Sequence, residues 1–542
     1  MITTNLLEET IRRNPHLGQY IKRYEQESGL TPEFHEQLTY DMRYVKNPNI
    51  IYPVGDPIFV HVYKDTVSPE IKYIAIEPSL SEEQEQKRKK IVEWIYDKVP
   101  EVDFDKEPDV RGVILRLYED ITSIKKSFLN RANYVRLNKD EHELIKYYIL
   151  RDTLEFGKLQ PLMKDPYIED IHCIGLDPIH LNHKIFQMVE TNVRFSSWDE
   201  LDSYLKTLGE KVGSPVSEGH PIIDAAMPDG SRLNVVYSKD VSIRGSSFTI
   251  RKFSEEPISI TQLIRFGTFS AEIAAYIWLC LENDMSVFMC GETASGKTTT
   301  LNAIVPFIPA DAKIFSVEET PELHVPHETW QQMLTRDTGQ AQGNVTMFDL
   351  LKAALRSRPH YVIVGEIRGP EGAIAFQAMQ TGHPVMSTFH ASSVRKMIQR
   401  LTGSPINVPI QFMDLLNVAI FQQIVYVNGA LERRITSVEE IIGYSRENQG
   451  VMTRKIFSYD PVRDVHKFDG LFNSAMLETK IAPRYGMEDP REIYAMLARR
   501  TKILKALADA NITSYRRVLQ IINEYRIEGE SALPSEVRAE VR

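Results

Sequence analysis

One stretch of the sequence combines the glycines, the lysine and the hydroxyl groups that phosphate binding requires. It reads GETASGKT from Gly291 to Thr298 and matches the pattern GxxxxGK[ST] without a mismatch. An apolar run precedes it and a helical pattern follows it directly, which is the context expected of a P-loop. In such a loop, backbone N–H groups and the positive end of the helix surround the phosphates. Lys297 is expected to reach the β and γ oxygens, and Thr298 to hold Mg²⁺ through its hydroxyl.

The sequence therefore predicts a site for MgATP, rather than a glycine-rich turn that fits the pattern by coincidence. ATP and Mg²⁺ are the expected cofactors. The residues predicted to contact the nucleotide are consecutive: Gly291, Glu292, Thr293, Ala294, Ser295, Gly296, Lys297, Thr298 and Thr299.

A second apolar strand is predicted at His360–Val364, and it ends in Gly365 and Glu366. Most P-loop enzymes place an aspartate there to support Mg²⁺. Because Glu366 is the first carboxylate available at this strand end, it is expected to orient or deprotonate the attacking water. The alternative is an ordinary surface glutamate in a turn.

The predicted strand Lys313–Val317 leads into an acidic cluster that begins with Glu318 and Glu319. These carboxylates could help to hold Mg²⁺ or its water shell, or they could cap the following segment. His383 and His390 flank the next predicted strand, Pro384–Thr388. His383 is interpreted as structural, and His390 either as structural or as a phosphate or interface sensor.

An arginine commonly stabilises the transition-state charge of the γ-phosphoryl group, from the same chain or from a neighbour. Composition does not choose among the seven candidates, which are Arg232, Arg244, Arg251, Arg336, Arg356, Arg358 and Arg368.

Strands and helices alternate from residue 271 to about residue 443, which predicts a parallel sheet with helices on its faces. The expected fold class is α/β, with a P-loop core preceded by an α+β N-terminal part and followed by a helical C-terminal region. The predicted divisions are 1–146 (α+β accessory region), 147–252 (strand-rich, PAS-like or similar), 253–270 (linker), 271–443 (ATPase core) and 444–542 (mainly helical).

The bulk composition is that of a globular protein, with a formal net charge of −10 among 542 residues. Such a charge does not favour nucleic acid as a partner. The three cysteines are far apart, so neither a zinc ribbon nor a disulfide framework is expected. No signal peptide or membrane-spanning helix is expected either, so the sequence predicts a cytoplasmic protein whose membrane contact is peripheral.

Four strings of the sequence occur together in one order: GETASGKTTTLNA, SVEETPEL, RSRPHYVIVGEIRG and QTGHPVMSTFHA. They resemble the Walker A, Asp box, atypical Walker B and His box of the type II/type IV secretion ATPase superfamily. Upstream, Leu159–Gly175 and Pro228–Phe253 resemble its second N-terminal domain. HETWQQMLTR and NIIYPVGDPIFVHVY are similar to the archaeal branch, which contains the archaellum motor ATPase and the pilus-assembly ATPases.

The resemblance implies a RecA-like core in a homo-hexameric ring. It implies that Glu366 is the catalytic glutamate, that Glu318 is the Asp-box glutamate and that His390 is the His-box histidine. Arg232 and Arg251 resemble arginines of the N-terminal domain that approach ATP. The chain departs from the family at Glu319, where an aspartate is usual; the longer side chain keeps the charge of the carboxylate expected near Mg²⁺.

Three functions follow as hypotheses. The leading one is a motor ATPase that acts on a polytopic membrane platform protein to assemble or rotate an archaeal type IV pilus-like filament, or to drive a related secretion machine. The alternative is a ring ATPase that translocates nucleic acid, against which the net charge argues. A third is a nucleotide-gated regulator that binds ATP and hardly turns it over.

Overall fold

The computed structural model describes residues 2–65, 70–103, 107–124, 135–253, 256–336, 343–427, 429–447 and 449–541. The chain divides into two units, Met1–Phe253 and Ser254–Arg542. The finer division of the sequence into five segments remains a prediction. Within the described residues, no helix combines the length and the apolar character needed to cross a bilayer.

The first unit is built on a ten-stranded mixed sheet. Its seven helices are α1 (Ile2–Arg13), α2 (Pro15–Ser28), α3 (Glu82–Lys98), α4 (Val110–Ile121), α5 (Lys139–Thr153), α6 (Gln160–Lys164) and α7 (Trp198–Lys211), as far as the described ranges show. Its strands are β1 (Glu33–Phe34), β2 (Asn49–Gly55), β3 (Ile58–Lys64), β4 (Ile71–Ile76), β5 (Thr122–Ser123), β6 (Val135–Arg136), β7 (Ile168–Ile174), β8 (His180–His183), β9 (Gln187–Thr191), β10 (Ile222–Ala226), β11 (Arg232–Val236) and β12 (Ser247–Arg251). The large sheet has the order β1-β2-β3-β4-β9-β8-β7-β12-β11-β10, and β5 pairs separately with β6.

A buried polar network lies in the core of this unit. The Asp165 carboxylate accepts hydrogen bonds from the hydroxyls of Tyr52 and Tyr73, at 2.7 and 2.8 Å. His183 Nδ1 accepts the backbone N–H groups of Ile185 and Phe186, so the ring proton resides on Nε2, 3.2 Å from the Tyr52 hydroxyl. Because a proton added to Nδ1 would break both backbone bonds, the fold requires a neutral imidazole.

Acid should therefore destabilise the first unit through His183. Burial lowers the pKa of His183 from 6.5 to about 4. Between those values the unfolded chain binds more protons than the folded chain, so stability is full above pH 6.5 and declines as the pH falls towards 4. The loss is on the order of 3 kcal/mol. Urea unfolding of the full chain at pH 7.5, 6, 5 and 4 measures it.

His183→Asn provides the comparison, because its side-chain oxygen can still accept the two backbone N–H groups but does not titrate. The variant should be less stable at neutral pH and should lose less stability on acidification. Equal pH slopes for the two proteins would contradict the assignment of this acid sensitivity to His183.

The second unit contains a nine-stranded sheet with helices on both faces. Its strands are β13 (Val287–Gly291), β14 (Ile314–Glu318), β15 (Trp330–Leu334), β16 (Tyr361–Ile367), β17 (Val385–Phe389), β18 (Val418–Val427), β19 (Ala430–Ser445), β20 (Gly450–Asp460) and β21 (Val465–Phe468). Its helices in the described part of the chain are α8 (Ile260–Arg265), α9 (Ala271–Glu282), α10 (Lys297–Ile304), α11 (Met347–Arg356), α12 (Glu371–Gln380), α13 (Val394–Thr402), α14 (Ile493–Asp509), α15 (Tyr515–Glu528) and α16 (Ser535–Val541).

The sheet order is β15-β14-β16-β17-β13-β18-β19-β20-β21. In this order, the first five pairings, from β15 through to β18, are parallel. The last three pairings, from β18 to β21, are antiparallel. Every residue of β13 is buried, as expected of a parallel strand covered on both faces. Val287 and Met289 pack into one hydrophobic cluster, whereas Phe288 and Cys290 pack into the cluster on the opposite face.

The predicted fold class is confirmed, including the parallel sheet and the helical end of the chain. Two local features were not expected from the sequence pattern. The segment predicted as a linker contains α8, whose Ile260 and Leu263 are buried in the core of this unit. The segment predicted to be mainly helical begins with β20 and β21, and its helices α14 to α16 follow from Ile493 onward. Tertiary pairing with β19 overrides the weak local pattern there.

Candidate active site

The P-loop connects β13 to α10. Ala294 and Gly296 adopt left-handed backbone conformations, with φ of 61° and 93°. This conformation is uncommon for a residue with a side chain and ordinary for glycine. Thr298 and Thr299 follow Lys297 in the first turn of α10, where N–H groups remain available for phosphate oxygens. The predicted phosphate-binding loop thus lies at the helix N-terminus that its mechanism requires.

Lys297 closes the loop on itself. Its ammonium group donates to the backbone oxygen of Glu292 at 3.0 Å. Burial lowers the pKa of Lys297, and the Glu366 carboxylate opposes that shift, which brings the two predicted residues into one electrostatic environment. A cation at this position is suited to the β and γ oxygens of a nucleoside triphosphate.

Glu366 reaches this edge through an irregularity in the sheet. The pairing of β16 with β17 shifts register between Val364 and Glu366, so Gly365 is the extra residue of a β-bulge. The Thr388 hydroxyl donates to the Gly365 carbonyl at 2.6 Å and holds the bulge in place. A bulge interrupts the regular alternation of side chains along a strand. The Glu366 side chain therefore points in a different direction from the one that the regular strand would give it.

Arg368 joins the two predicted carboxylates. Its guanidinium group contacts Glu366 Oε2 at 2.6 Å and Glu319 Oε2 at 3.3 Å. The structure therefore places Glu366 and Glu319 beside each other at the carboxyl ends of β16 and β14. Sequence reasoning counted Arg368 among seven undecided arginines. Its position two residues after Glu366 was the available signal.

Glu318 anchors a loop in this structure. Its side chain is buried, and its Oε1 accepts the backbone N–H groups of Glu322 and Leu323, both at 2.8 Å. Its Oε2 accepts the Gln332 amide at 2.7 Å. Burial raises the pKa of Glu318, and these three donors oppose the shift. A Cβ at position 365 would lie 3.2 Å from Glu318 Cγ, so glycine at this position avoids a close contact with the buried Glu318 side chain. The catalytic role predicted for Glu318 remains a prediction.

The two histidines lie at opposite ends of β17. His390 follows the carboxyl end of the strand, between the P-loop strand and the Glu366 strand in the sheet order. The Arg400 guanidinium donates to the His390 backbone oxygen. His383 precedes the strand and contacts the Thr381 hydroxyl at 3.1 Å. His390 therefore belongs to the site edge, and His383 to the opposite edge.

Arg232 and Arg251 lie in the first unit. They face each other directly on the antiparallel strands β11 and β12. Like charges at directly opposite positions of an antiparallel pair repel each other. Asp224 reduces this repulsion through a bidentate ion pair with Arg232, at 2.9 and 2.6 Å. Their approach to ATP remains a prediction.

The donor set of the second unit fits MgATP. Lys297 and the first turn of α10 offer cationic and N–H groups to phosphates, while Thr298 offers a hydroxyl oxygen to Mg²⁺. Glu319 and Glu366 add carboxylate oxygens, which Mg²⁺ prefers, directly or through water. These are the residues that would hold the nucleotide and its metal.

Comparison with known proteins identifies the family of the chain. The family model described as "Type II/IV secretion system protein" matches residues 152–452, which is more than half of the chain. The uncharacterized protein MJ0900 of Methanocaldococcus jannaschii is 50% identical over 540 residues, covering 97% of this chain and 98% of that protein. The type IV secretion system protein VirB11 of Bartonella henselae is 27% identical over 240 residues, covering 38% of this chain and 67% of VirB11.

Among solved structures, the ATPase DotB of Legionella pneumophila is similar, with 17% identity and a TM-score of 0.38. The match covers 66% of this chain and 92% of DotB. The family model includes the P-loop, the Glu366 strand and the His390 strand, which are the elements that form the site described above. The chain belongs to the type II/IV secretion system protein family and is a P-loop ATPase of that family.

Proposed function

We propose that this chain is a motor ATPase that hydrolyses MgATP as a homo-hexamer. It acts at the cytoplasmic face of the membrane on a polytopic platform protein, and it powers the assembly or rotation of an archaeal pilus-like filament or a related secretion machine. The observation that carries the proposal is that Lys297, Glu366 and Glu319 lie at the carboxyl ends of strands of one parallel sheet, where Arg368 contacts both carboxylates.

Each residue has a distinct task in hydrolysis. The P-loop and Lys297 bind the phosphates and withdraw charge from the bond that breaks. Thr298 would hold Mg²⁺ through its hydroxyl, and the bound ion would supply positive charge to the phosphate oxygens. Glu366 accepts a hydrogen bond from the attacking water and orients it in line with the γ-phosphorus. Domain closure around nucleotide is the physical means by which hydrolysis could drive movement.

The direct test replaces Lys297 by alanine in the native host and scores surface filaments, swimming and secretion together. Loss of the lysine removes the cation that the phosphates require, so the dependent process should stop while the protein remains folded. Loss of swimming with other pili intact would indicate an archaellum motor. Missing pili or lost secretion with normal swimming would indicate an assembly or secretion motor.

A matched control is Lys313→Ala. Lys313 precedes β14, and its ammonium group donates to the Ser357 carbonyl, away from the P-loop. The control strain should behave as the wild type. Normal filaments, swimming and secretion in the Lys297→Ala strain would contradict the proposed function.

A further inference from the structure

Strand β18 extends past the end of the P-loop strand. Gly291 pairs with Gln422 at the last position of β13, and β18 continues to Val427, paired antiparallel with β19. At about 3.3 Å per residue, Tyr426 lies roughly 13 Å farther along the strand than Gln422. The hairpin of β18 and β19 therefore projects beyond the sheet at the edge where the P-loop begins.

One face of this hairpin contacts the P-loop and its helix. The Gln422 side chain accepts a hydrogen bond from Thr300 of α10 at 2.8 Å. Arg433 Nε donates to the Ala294 carbonyl at 3.1 Å. Arg433 lies directly opposite Ile424, two residues after Gln422, so all of these side chains share one face.

The same face continues outward as exposed apolar surface. Ile424 is 43% exposed, Tyr426 is 76% exposed and Leu431 is 46% exposed. Tyr426 and Leu431 are directly opposite each other in the pairing of β18 with β19. An aromatic ring and two aliphatic side chains beside a phosphate site have the composition of a small-molecule subsite, which is mostly apolar with a few polar groups.

The position of Glu366 decides which end of the nucleotide lies here. Strand β17 separates β16 from β13, whereas β18 adjoins β13 on the other side. The γ-phosphoryl group must face the Glu366 side, because the attacking water is oriented there. The nucleoside must then leave the P-loop on the β18 side, towards the exposed face of the hairpin.

We propose that Ile424, Tyr426 and Leu431 form the nucleobase subsite, in which Tyr426 stacks on the base of the nucleotide whose phosphates occupy the P-loop. This inference rests on the proposed function, since it requires the P-loop to bind a nucleoside triphosphate. In this subsite, Arg433 positions the P-loop through Ala294. Stacking tolerates any base, since every base offers a π-face.

The test compares equilibrium binding of MgATP with that of magnesium tripolyphosphate, which has the phosphates but no base. Tyr426→Ala should weaken MgATP binding by about tenfold and leave tripolyphosphate binding unchanged. Tyr426→Phe retains the ring and should bind both probes as the wild type does. Tyr96→Ala, at a tyrosine of α3 that is 64% exposed, is the matched control and should change neither affinity.

Unchanged MgATP affinity in Tyr426→Ala would overturn the subsite, as would an equal loss for both probes. A shift in oligomeric state with nucleotide affinity intact would also overturn it, because the apolar face would then bind a second copy of the chain. Lys297→Ala separates this inference from the function on which it rests. If that variant binds both probes normally, the P-loop assignment itself fails.

Discussion

Replacing Glu366 by glutamine is expected to lower ATP turnover by roughly 10²- to 10⁴-fold while MgATP binding persists. Glutamine has nearly the same shape, so the bulge at Gly365 and the loop around it should remain. It lacks the negative charge that accepts the proton of the attacking water. Steady-state phosphate release measures the turnover, and equilibrium binding of MgATP measures the retained affinity.

Glu328→Gln is the matched control, because Glu328 is an exposed carboxylate of the same unit that precedes β15. That variant should hydrolyse ATP at the wild-type rate. Unchanged turnover in Glu366→Gln would remove Glu366 from catalysis and would favour a regulator that binds ATP and hardly hydrolyses it. Loss of MgATP binding would instead assign Glu366 to the metal.

The ion pairs of Arg368 give this variant a second consequence. Arg368 contacts both Glu366 and Glu319. With glutamine at position 366, Glu319 would be the one of these two partners that still carries a charge. Since hydrogen bonds between charged groups are shorter and stronger than neutral ones, Arg368 should move towards Glu319. The position of Arg368 in a structure of the variant would therefore report how the two carboxylates share it.

The P-loop was predictable because its information is local. Lys297 and Thr298 stand at a fixed spacing between an apolar run and a helical pattern, so one short window contains the strand, the loop and the helix. Glu366 was also predictable, since the end of a buried parallel strand indicates where a ligand crevice lies. Neither inference required knowledge of a distant partner.

The arrangement around these residues was not predictable, because it depends on pairing between distant segments. The bulge at Gly365 exists only in relation to β17, and Arg368 joins residues from two separate strands. Glu318 has the same residue type as Glu319 and adjoins it, yet the fold buries one and exposes the other. Glu318 is the last residue of β14, a strand buried at every position, whereas Glu319 lies just beyond its end. Only the folded sheet shows where that covered strand ends.

The linker and C-terminal expectations were incomplete for a related reason. The segment containing α8 has a proline and interrupted periodicity, so local pattern favours a linker. Ser259 nevertheless caps α8 and also donates to the Thr513 carbonyl, far along the chain. Burial of Ile260 and Leu263 against the C-terminal helices then stabilises a helix that is too short to be stable alone.

Those C-terminal helices join the ATPase core through a buried cluster of charges. Glu282, the last residue of α9, contacts Arg500 of α14 and Arg526 of α15, with 2.8 Å to Arg526. Their side chains are 12%, 7% and 19% exposed. Although burial acts to raise the pKa of Glu282, the two guanidinium groups bring it below its ordinary value. Arg500 also lies over the Trp278 ring, 4.7 Å from the ring centroid.

Glu282→Ala is expected to lower the free energy of unfolding of the second unit by about 3–5 kcal/mol. The loss is large because two buried guanidinium groups would remain without their shared carboxylate. Asp284→Asn is the control: it removes the charge from a solvent-exposed ion pair with Arg484 and should cost about 0–1 kcal/mol. Urea unfolding followed by tryptophan fluorescence measures both variants.

Simultaneous replacement of Glu282, Arg500 and Arg526 by leucine separates the cost of an unpaired charge from the value of the cluster itself. Because apolar residues of similar volume can replace a buried ion cluster at little cost, the triple variant should be more stable than Glu282→Ala. A triple variant as unstable as Glu282→Ala would mean that packing around α9 dominates. A loss below about 1 kcal/mol in Glu282→Ala itself would show that water reaches the arginines and that the cluster behaves as a surface pair.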